Sequence, residues 1–117
     1  MKLRQAAIGF LPGPGDLTAL RAGASAASRL LKMLSSEQRL LMLCRLDEGE
    51  ASVGELAQHV DLAQSAASQH LAKLRSEGVV ATRRDAQNVY YRLADPAVTQ
   101  IIHLLCDIYR DGDPAAV

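Results

Sequence analysis

Residues 64–75 read QSAASQHLAKLR, and two short β-prone runs follow at residues 79–84 (VVATRR) and 88–93 (NVYYRL). Ala67, Leu71 and Leu74 recur at helical spacing and predict one apolar stripe. The opposite face carries polar side chains that can approach a base edge or a phosphate closely, namely Gln64, Ser65, Ser68, Gln69 and Lys73. A solvated surface helix shows the same pattern, so the flanking sequence decides the interpretation.

A second, shorter helix is predicted immediately before this one. Ser52 and Glu55 have the spacing of a capping box and predict a helix over residues 53–59, with Leu56, Ala57 and Val60 facing inward. Three or four residues then lead to the polar-faced helix. Two helices joined by so short a connection form a helix-turn-helix arrangement.

The two β-prone runs predict a hairpin. Gly78 ends the preceding helix as a C-terminal glycine, and residues 85–87 connect the two strands. The hairpin carries Arg83, Arg84 and Arg92. Residues 64–92 contain five basic and two acidic side chains, whereas the whole chain has 13 of each and a net charge of zero. Such segregation of positive charge is typical of a surface that binds nucleic acid.

Three further helices are predicted outside this unit. One extends over residues 16–34, one over residues 37–46 after the capping-box pair Ser35 and Gln38, and one from Asp95-Pro96 to about residue 110. The middle helix is expected to bury Leu40, Leu41 and either Leu43 or Cys44. The last helix is apolar on more than one face, so we expect it to pack against a second copy of the chain as well as its own core.

The composition indicates one small globular domain. Of the 117 residues 49% are apolar, with one Phe, three Tyr and no Trp, which suits helices packed on helices. The Pro-Gly run at residues 12–15 interrupts regular structure, so we expect an arm at 1–15, the folded domain at 16–111 and a flexible tail at 112–117. With no apolar run long enough to span a membrane and no clear signal peptide, the cytoplasm is the expected location.

The order of these elements is that of a winged helix-turn-helix, a mainly α fold with a small β-hairpin. The stretch SVGELAQHVDLAQSAASQHLAKLRSEGVVATRRDAQNVYYRLAD also resembles the DNA-binding core of the ArsR/SmtB family of bacterial repressors. The resemblance rests on the Gly-Glu-Leu-Ala opening, the Ser68-x-His70-Leu71 motif, Leu74-x-x-x-Gly78 and the arginine-rich wing that ends in Tyr-Tyr. It implies a homodimer, held by the first and last helices, that binds a palindromic operator and leaves it when an inducer arrives.

The sequence departs from the family pattern at two positions near the turn. Asp61 replaces a frequent glycine, and aspartate tolerates the left-handed backbone that such a position needs. Ala63 replaces a frequent serine cap. The start of the polar-faced helix at residues 64–75, which is the recognition helix of this fold, therefore depends on Ser65 or on DNA phosphate.

The expected partner is double-stranded DNA, with one recognition helix of each protomer in the major groove and each wing at the backbone or minor groove. The predicted base or phosphate contacts come from the recognition helix and the wing. They are Gln64, Ser65, Ser68, Gln69, His70, Lys73, Arg83, Arg84 and Gln87.

The two cysteines, Cys44 and Cys106, leave the trigger open between three alternatives. They could be inert buried thiols. They could form a redox or reactive-sulfur switch if the helices bring the sulfurs together. Cys106 could also join His103 and Asp107, which share its helical face, in a zinc site with a fourth ligand from Cys44 or a second protomer.

The family resemblance bears on this choice. The cysteines of the thiolate metal site that some family members have before the recognition helix are absent here. The segment LLMLCRL around Cys44 resembles the persulfide- and oxidant-sensing branch, in which the second cysteine follows an aromatic residue near the end of the last helix. That position is Arg110 here, and Cys106 lies four residues earlier, about one helical turn. The resemblance thus implies that Cys44 and Cys106 form a sensing pair. A reactive sulfur species or an oxidant would modify this pair and release the repressor from DNA.

Other functional classes have less support in the sequence. No nucleophile and base fall at a spacing typical of an enzyme, no glycine-rich loop follows a strand, and no cofactor is expected. A winged-helix dimerisation module that does not bind DNA remains an alternative, as does a family member that no longer senses an inducer.

Overall fold

The computed structural model describes the backbone of residues 14–110 and the side chains of residues 17–110. Within that range the chain forms five helices and three strands. They are α1 (Pro14–Met33), α2 (Glu37–Asp47), β1 (Ala51–Ser52), α3 (Val53–His59), α4 (Gln64–Ser76), β2 (Val80–Asp85), β3 (Asn88–Leu93) and α5 (Pro96–Ile108). The predicted tail at 112–117, and the predicted arm up to residue 13, lie outside the described residues.

Helix α1 belongs to a separate compact unit, because the chain divides between Met33 and Leu34. It begins at Pro14, two residues earlier than the sequence predicts. Proline lacks an amide hydrogen and has a fixed φ angle, and both properties suit the first turn of a helix. Leu17, Leu20 and Leu31 of α1 are exposed.

The sequence predicts Ser35 as the N-cap of helix α2, but the structure has Ser36 in that position. Ser36 has the extended backbone of an N-cap residue, and its Oγ accepts a hydrogen bond from the Arg39 amide at 3.3 Å. Of the residues predicted to be buried, Leu43 is fully buried and Leu40 is half-buried, but Leu41 is exposed and that prediction is wrong. The stripe of α2 that faces the core consists of Met42, Leu43 and Leu46.

Helices α3 and α4 form the predicted helix-turn-helix. Ser52 and Glu55 make both bonds of the capping box, at 3.2 Å from the Glu55 amide to Ser52 Oγ and 2.8 Å from the Ser52 amide to Glu55 Oε1. Gly78 follows α4 with a φ of +77°, a left-handed conformation that glycine adopts without steric cost. The chain can therefore turn sharply from α4 into β2.

The hairpin is part of a three-stranded antiparallel sheet of order β1-β3-β2. The short strand β1, which the sequence pattern does not predict, pairs with β3 through Ala51 and Tyr91. Asp85 pairs with Asn88, so Ala86 and Gln87 alone form the connection, one residue shorter than predicted.

Helix α5 begins as predicted, with Asp95 at the N-cap and Pro96 in the first turn. The Asp95 carboxylate accepts hydrogen bonds from the amides of Ala97 and Val98, at 2.9 and 3.4 Å. Helices α2 and α5 pack against each other. The most fully buried side chains of this unit come from α2 to α5, and they are Met42, Leu43, Leu56, Leu71, Leu74, Val98 and Ile102. No helix within residues 14–110 is long and apolar enough to cross a membrane.

Candidate nucleic-acid interface and thiol pair

The outer face of α4 is polar and exposed, as the sequence predicts. Its inner stripe of Ala67, Leu71 and Leu74 is fully buried, which fixes the rotation of the helix about its axis. The predicted contact residues on the opposite side are all exposed, and they are Gln64, Ser65, Ser68, Gln69 and Lys73. The structure thus brings these five side chains to one solvent-facing surface.

His70 differs from the other predicted contact residues of α4, because it is half-buried and already engaged within the protein. Arg39 Nε of α2 lies 3.3 Å from His70 Nδ1. An arginine Nε–H can only donate, so His70 Nδ1 must accept and a neutral His70 carries its proton on Nε2. No sequence pattern indicates Arg39 as its partner, because the bond joins residues 31 positions apart.

The first turn of α4 has no side-chain cap. Ala63 has the backbone angles of an N-cap residue, with φ −62° and ψ 147°, but its side chain accepts no hydrogen bond. Asp61 adopts a left-handed φ of +57°, as the sequence predicts for this position. Ala63, Gln64 and Ser65 are all exposed. The α4 start therefore leaves amide hydrogens for solvent or for an acceptor outside the protein.

The wing is the hairpin formed by β2 and β3. It presents three of the predicted contact residues, Arg83, Arg84 and Gln87, all of them exposed. Gln87 lies in the two-residue turn at the tip. Arg83 is fixed by an ion pair with Glu50, in which Nε lies 2.8 and 2.9 Å from the two carboxylate oxygens. Its guanidinium also lies 4.7 Å from the centre of the Tyr90 ring. The hydrogen bond to Glu50 raises the pKa of Arg83 above its ordinary value.

The two cysteines meet between α2 and α5. Both are free and half-buried, and Cys106 lies near enough to Cys44 to raise the pKa of the Cys44 thiol. Burial, the neighbouring Cys106 side chain and the nearby charges of Asp47 and Glu48 together raise the pKa of Cys44 from 9.0 to about 12. Cys44 is therefore a protonated thiol at neutral pH. The shift of Cys106 by one helical turn from the family position does not separate the two side chains.

The proposed zinc ligands on α5 face three different partners. His103 Nδ1 lies 3.0 Å from Asp47 Oδ2, Cys106 contacts Cys44, and Asp107 forms an ion pair with Arg110. Among the residues that the structure describes, no group of three or more His, Cys, Asp or Glu side chains could hold a metal ion. The structure thus does not assemble His103, Cys106 and Asp107 into a metal site.

Comparison with known proteins agrees with this geometry. Residues 36–82 match the family model described as bacterial regulatory protein, arsR family. The chain is 45% identical over 101 residues to the transcriptional activator HlyU of Vibrio cholerae, an alignment that covers 86% of this chain and 94% of HlyU. It is 42% identical over 86 residues to the biofilm growth-associated repressor of Xylella fastidiosa, covering 74% of this chain and 75% of that protein. These relatives are regulators and not enzymes.

Solved structures show the same fold. The structure of reduced HlyU from Vibrio cholerae superposes with a TM-score of 0.74 at 45% identity, over 78% of this chain and 96% of that one. A homodimeric winged helix-turn-helix DNA-binding domain from Mycobacterium bovis superposes with a TM-score of 0.66 at 31% identity, over 75% and 82% of the two chains. The predicted winged helix-turn-helix fold is confirmed, and the chain belongs to the ArsR family of DNA-binding transcriptional regulators.

Proposed function

We propose that this regulator is a homodimeric repressor that binds a palindromic operator while its thiols are reduced, and that a disulfide between Cys44 and Cys106 releases it. The observation that carries the proposal is the contact between the two thiols, one from α2 and one from α5. Two cysteines 62 positions apart in a chain with no others meet only if the fold brings them together.

The exposed face of α4 supports the assignment of DNA contacts. In the proposed complex α4 enters the major groove, with Gln64, Ser65, Ser68 and Gln69 at base edges or phosphates and Lys73 at a phosphate. His70 adds an Nε2–H donor, and the uncapped amides at the start of α4 suit a phosphate oxygen. The wing, with Arg84 and Gln87 near its tip, lies at the adjacent backbone or minor groove.

Exposed apolar side chains on the first and last helices support the dimer. On α1 they are Leu17, Leu20 and Leu31, and on α5 they are Leu104 and Ile108, with Tyr109 directly after it. Large apolar side chains that are exposed in one chain are typical of a surface that another chain covers. The relative from Mycobacterium bovis is itself homodimeric. Two recognition helices in successive major grooves would read half-sites about 34 Å apart.

The proposed switch needs an oxidant or a persulfide. Hydrogen peroxide would convert one thiol to a sulfenic acid and release water, and the second thiol would then displace a second water to form the disulfide. A low-molecular-weight persulfide would transfer its outer sulfur to one cysteine and leave as a thiol. Attack by the other cysteine on the inner sulfur would then release hydrogen sulfide. Because Cys44 is held protonated at neutral pH, it is a poor nucleophile for the first step.

A disulfide would draw α5 and α2 together and change the angle between the protomers, and with it the spacing of the two α4 helices. The difference in DNA affinity between the two states limits the switch to about 1–3 kcal/mol, a change of roughly 5- to 150-fold. In the cytoplasm, which keeps thiols reduced, the protein would rest in its DNA-binding state.

The proposal is tested by fluorescence anisotropy with a duplex that the reduced protein selects from random DNA. Glutathione persulfide or hydrogen peroxide should weaken binding, dithiothreitol should restore it, and the intact mass should fall by two hydrogens per chain. Cys44→Ser and Cys106→Ser serve as matched variants, since each removes one sulfur and keeps a small side chain. Both should bind the duplex and resist release.

Three results would contradict the proposal. Release of both serine variants by the persulfide would place the sensing chemistry elsewhere. A disulfide that forms without loss of affinity would separate the thiols from DNA binding. A monomer by analytical ultracentrifugation, at concentrations that bind the duplex, would contradict the dimer.

A further inference from the structure

The two adjacent arginines of the wing lie on opposite faces of the hairpin. Arg83 pairs with Tyr90 across the ladder, and Arg84 pairs with Val89. Successive side chains of a strand point to opposite faces of a sheet, so these neighbours cannot share a surface. Val80, four residues before Arg84 on the same face, is 2% exposed. Arg84 thus continues the core-facing side of β2 towards the wing tip, whereas Arg83 lies on the outer side.

Arg83 is held in place by two other elements. Its Nε donates to both oxygens of Glu50, the residue immediately before β1, and its guanidinium stacks on Tyr90 of β3. Because the strand order is β1-β3-β2, the side chain crosses the middle strand to reach Glu50. Charge-assisted bonds of this kind are stronger than neutral ones. The pair also has no net charge, so Arg83 offers little attraction to a phosphate.

Arg84 has no such attachment. Within residues 17–110, its exposed side chain forms no hydrogen bond or ion pair that would compete with a phosphate. Asp85, the next residue, points to the other face because it pairs with Asn88 at the following rung. The full charge of Arg84 is therefore available on the core-facing side of the hairpin.

We propose that Arg84 is the phosphate contact of the wing and that Arg83 is a positioning residue, which together with Glu50 and Tyr90 fixes the hairpin and does not itself bind DNA. An isolated two-stranded hairpin is only marginally stable. The Glu50–Arg83 ion pair joins β2 to the segment before β1 and so limits the movement of the distal strands. This assignment rests on the proposed docking of the wing on DNA.

The salt dependence of DNA affinity distinguishes the two roles. Each phosphate contact contributes about 0.9 to the slope of log affinity against log salt concentration. Arg84→Gln should reduce this slope by about 0.9 for each wing bound. Arg83→Gln should weaken binding by up to about 5-fold, which corresponds to the loss of one exposed ion pair, and it should leave the slope unchanged. Arg92→Gln is the control variant, because it removes one positive charge at the base of the hairpin, opposite Ala81. The slope change that it causes measures the effect of losing a charge without losing a phosphate contact.

A charge exchange provides the second readout. Glu50→Arg and Arg83→Glu should each weaken binding, and the double variant should recover it, because the ion pair is restored with its direction reversed. Tyr90→Phe should bind as the original protein does, whereas Tyr90→Ala should resemble Arg83→Gln. A phosphate contact from Arg83 could not be recovered by an arginine at position 50. Thermal melts of the reduced variants verify that each is folded.

The assignment is overturned if Arg83→Gln lowers the salt slope as Arg84→Gln does, if Arg84→Gln leaves the slope unchanged, or if the double variant fails to recover affinity. Failure of the proposed wing docking is recognised separately. In that case neither the arginine substitutions nor replacement of Gln87 would change the affinity of the reduced protein for its selected duplex.

Discussion

His103 Nδ1 of α5 lies 3.0 Å from Asp47 Oδ2 of α2, one helical turn from the contact between Cys106 and Cys44. The two contacts are successive connections between the same pair of helices, since His103 precedes Cys106 by three residues and Asp47 follows Cys44 by three. The His103–Asp47 contact therefore helps to fix the position of α5 along the axis of α2, and with it the alignment of the two sulfurs.

Loss of this contact should slow formation of the disulfide. His103→Ala removes a side chain that is 70% exposed, so the pair contributes at most about 1 kcal/mol and the rate should fall by up to about 5-fold. The rate is followed by intact mass after addition of hydrogen peroxide to the reduced protein. His59→Ala, which removes an exposed histidine from α3, is the matched control and should leave the rate unchanged.

Asp47→Asn separates the positional effect of this contact from its electrostatic effect. The substitution weakens the contact with His103, and it also removes one of the charges that raise the pKa of Cys44. The pKa of Cys44 should therefore fall in Asp47→Asn and stay unchanged in His103→Ala. Equal rates of bridging in the original protein and in both variants would show that the contact has no role in aligning the thiols.

The raised pKa of Cys44 should be visible in its reactivity. Since the pKa is about 12, the thiolate fraction rises tenfold per pH unit across the whole range below it. Alkylation of Cys44 by iodoacetamide should therefore keep increasing from pH 8 to pH 10.5, as measured by peptide mass spectrometry. In urea-unfolded protein the same reaction should level off above pH 9.0, the ordinary pKa of the group. A plateau near pH 9 in the folded protein would contradict this prediction.

The same shift makes folding stability depend on pH in a defined direction. Below pH 9.0 Cys44 is protonated in both the folded and the unfolded chain, so its contribution to stability is fully present. As the pH rises from 9 towards 12, the unfolded chain loses the proton more readily than the folded one, and stability falls. Cys44→Ser should reduce this alkaline loss in urea titrations.

Short-range signals in the sequence predicted most of the helix and strand boundaries. The capping box of Ser52 and Glu55, the Asp95-Pro96 start and Gly78 each depend on residues within a few positions, so pattern alone locates them. The adjacent serines at 35 and 36 cannot be told apart by spacing alone. Both precede the helix, and only the backbone conformation of Ser36 makes it the cap.

Contacts between distant residues were beyond sequence patterns. Strand β1 has two residues and no periodicity of its own, and it exists because β3 pairs with it. Glu50 reaches Arg83 across 33 positions, and Arg39 reaches His70 across 31. Whether Cys106 lies next to Cys44 depends on the axial offset between α2 and α5, and tertiary packing sets this offset. The candidate site was thus predicted as a set of residues, and the partners that fix them were not.

The missing cap of α4 predicts a stabilising substitution. Ala63 already has the extended backbone of an N-cap residue, so a serine there could accept a hydrogen bond from the first turn without rearrangement. Ala63→Ser should raise the free energy of unfolding by about 1 kcal/mol, and the melting temperature by roughly 5 °C, measured by circular dichroism. Ser36→Ala, which removes the existing cap of α2, should lower stability by a similar amount. No gain from Ala63→Ser would mean that water already satisfies the first turn equally well.

The bond from Arg39 to His70 predicts which substitutions of His70 retain DNA affinity. Since Nδ1 accepts from Arg39 Nε, the group left for DNA is the Nε2–H donor. Glutamine places an amide nitrogen near the Nε2 position and asparagine near the Nδ1 position, so His70→Gln should keep most of the affinity for the selected duplex. His70→Asn should lose about 1 kcal/mol, roughly 5-fold, in fluorescence anisotropy at fixed salt. Arg39→Ala should fall between the two, because it frees the histidine to take either tautomer. The opposite order of the glutamine and asparagine variants would assign the DNA contact to Nδ1, and equal affinity of all three variants and the original protein would remove His70 from the interface.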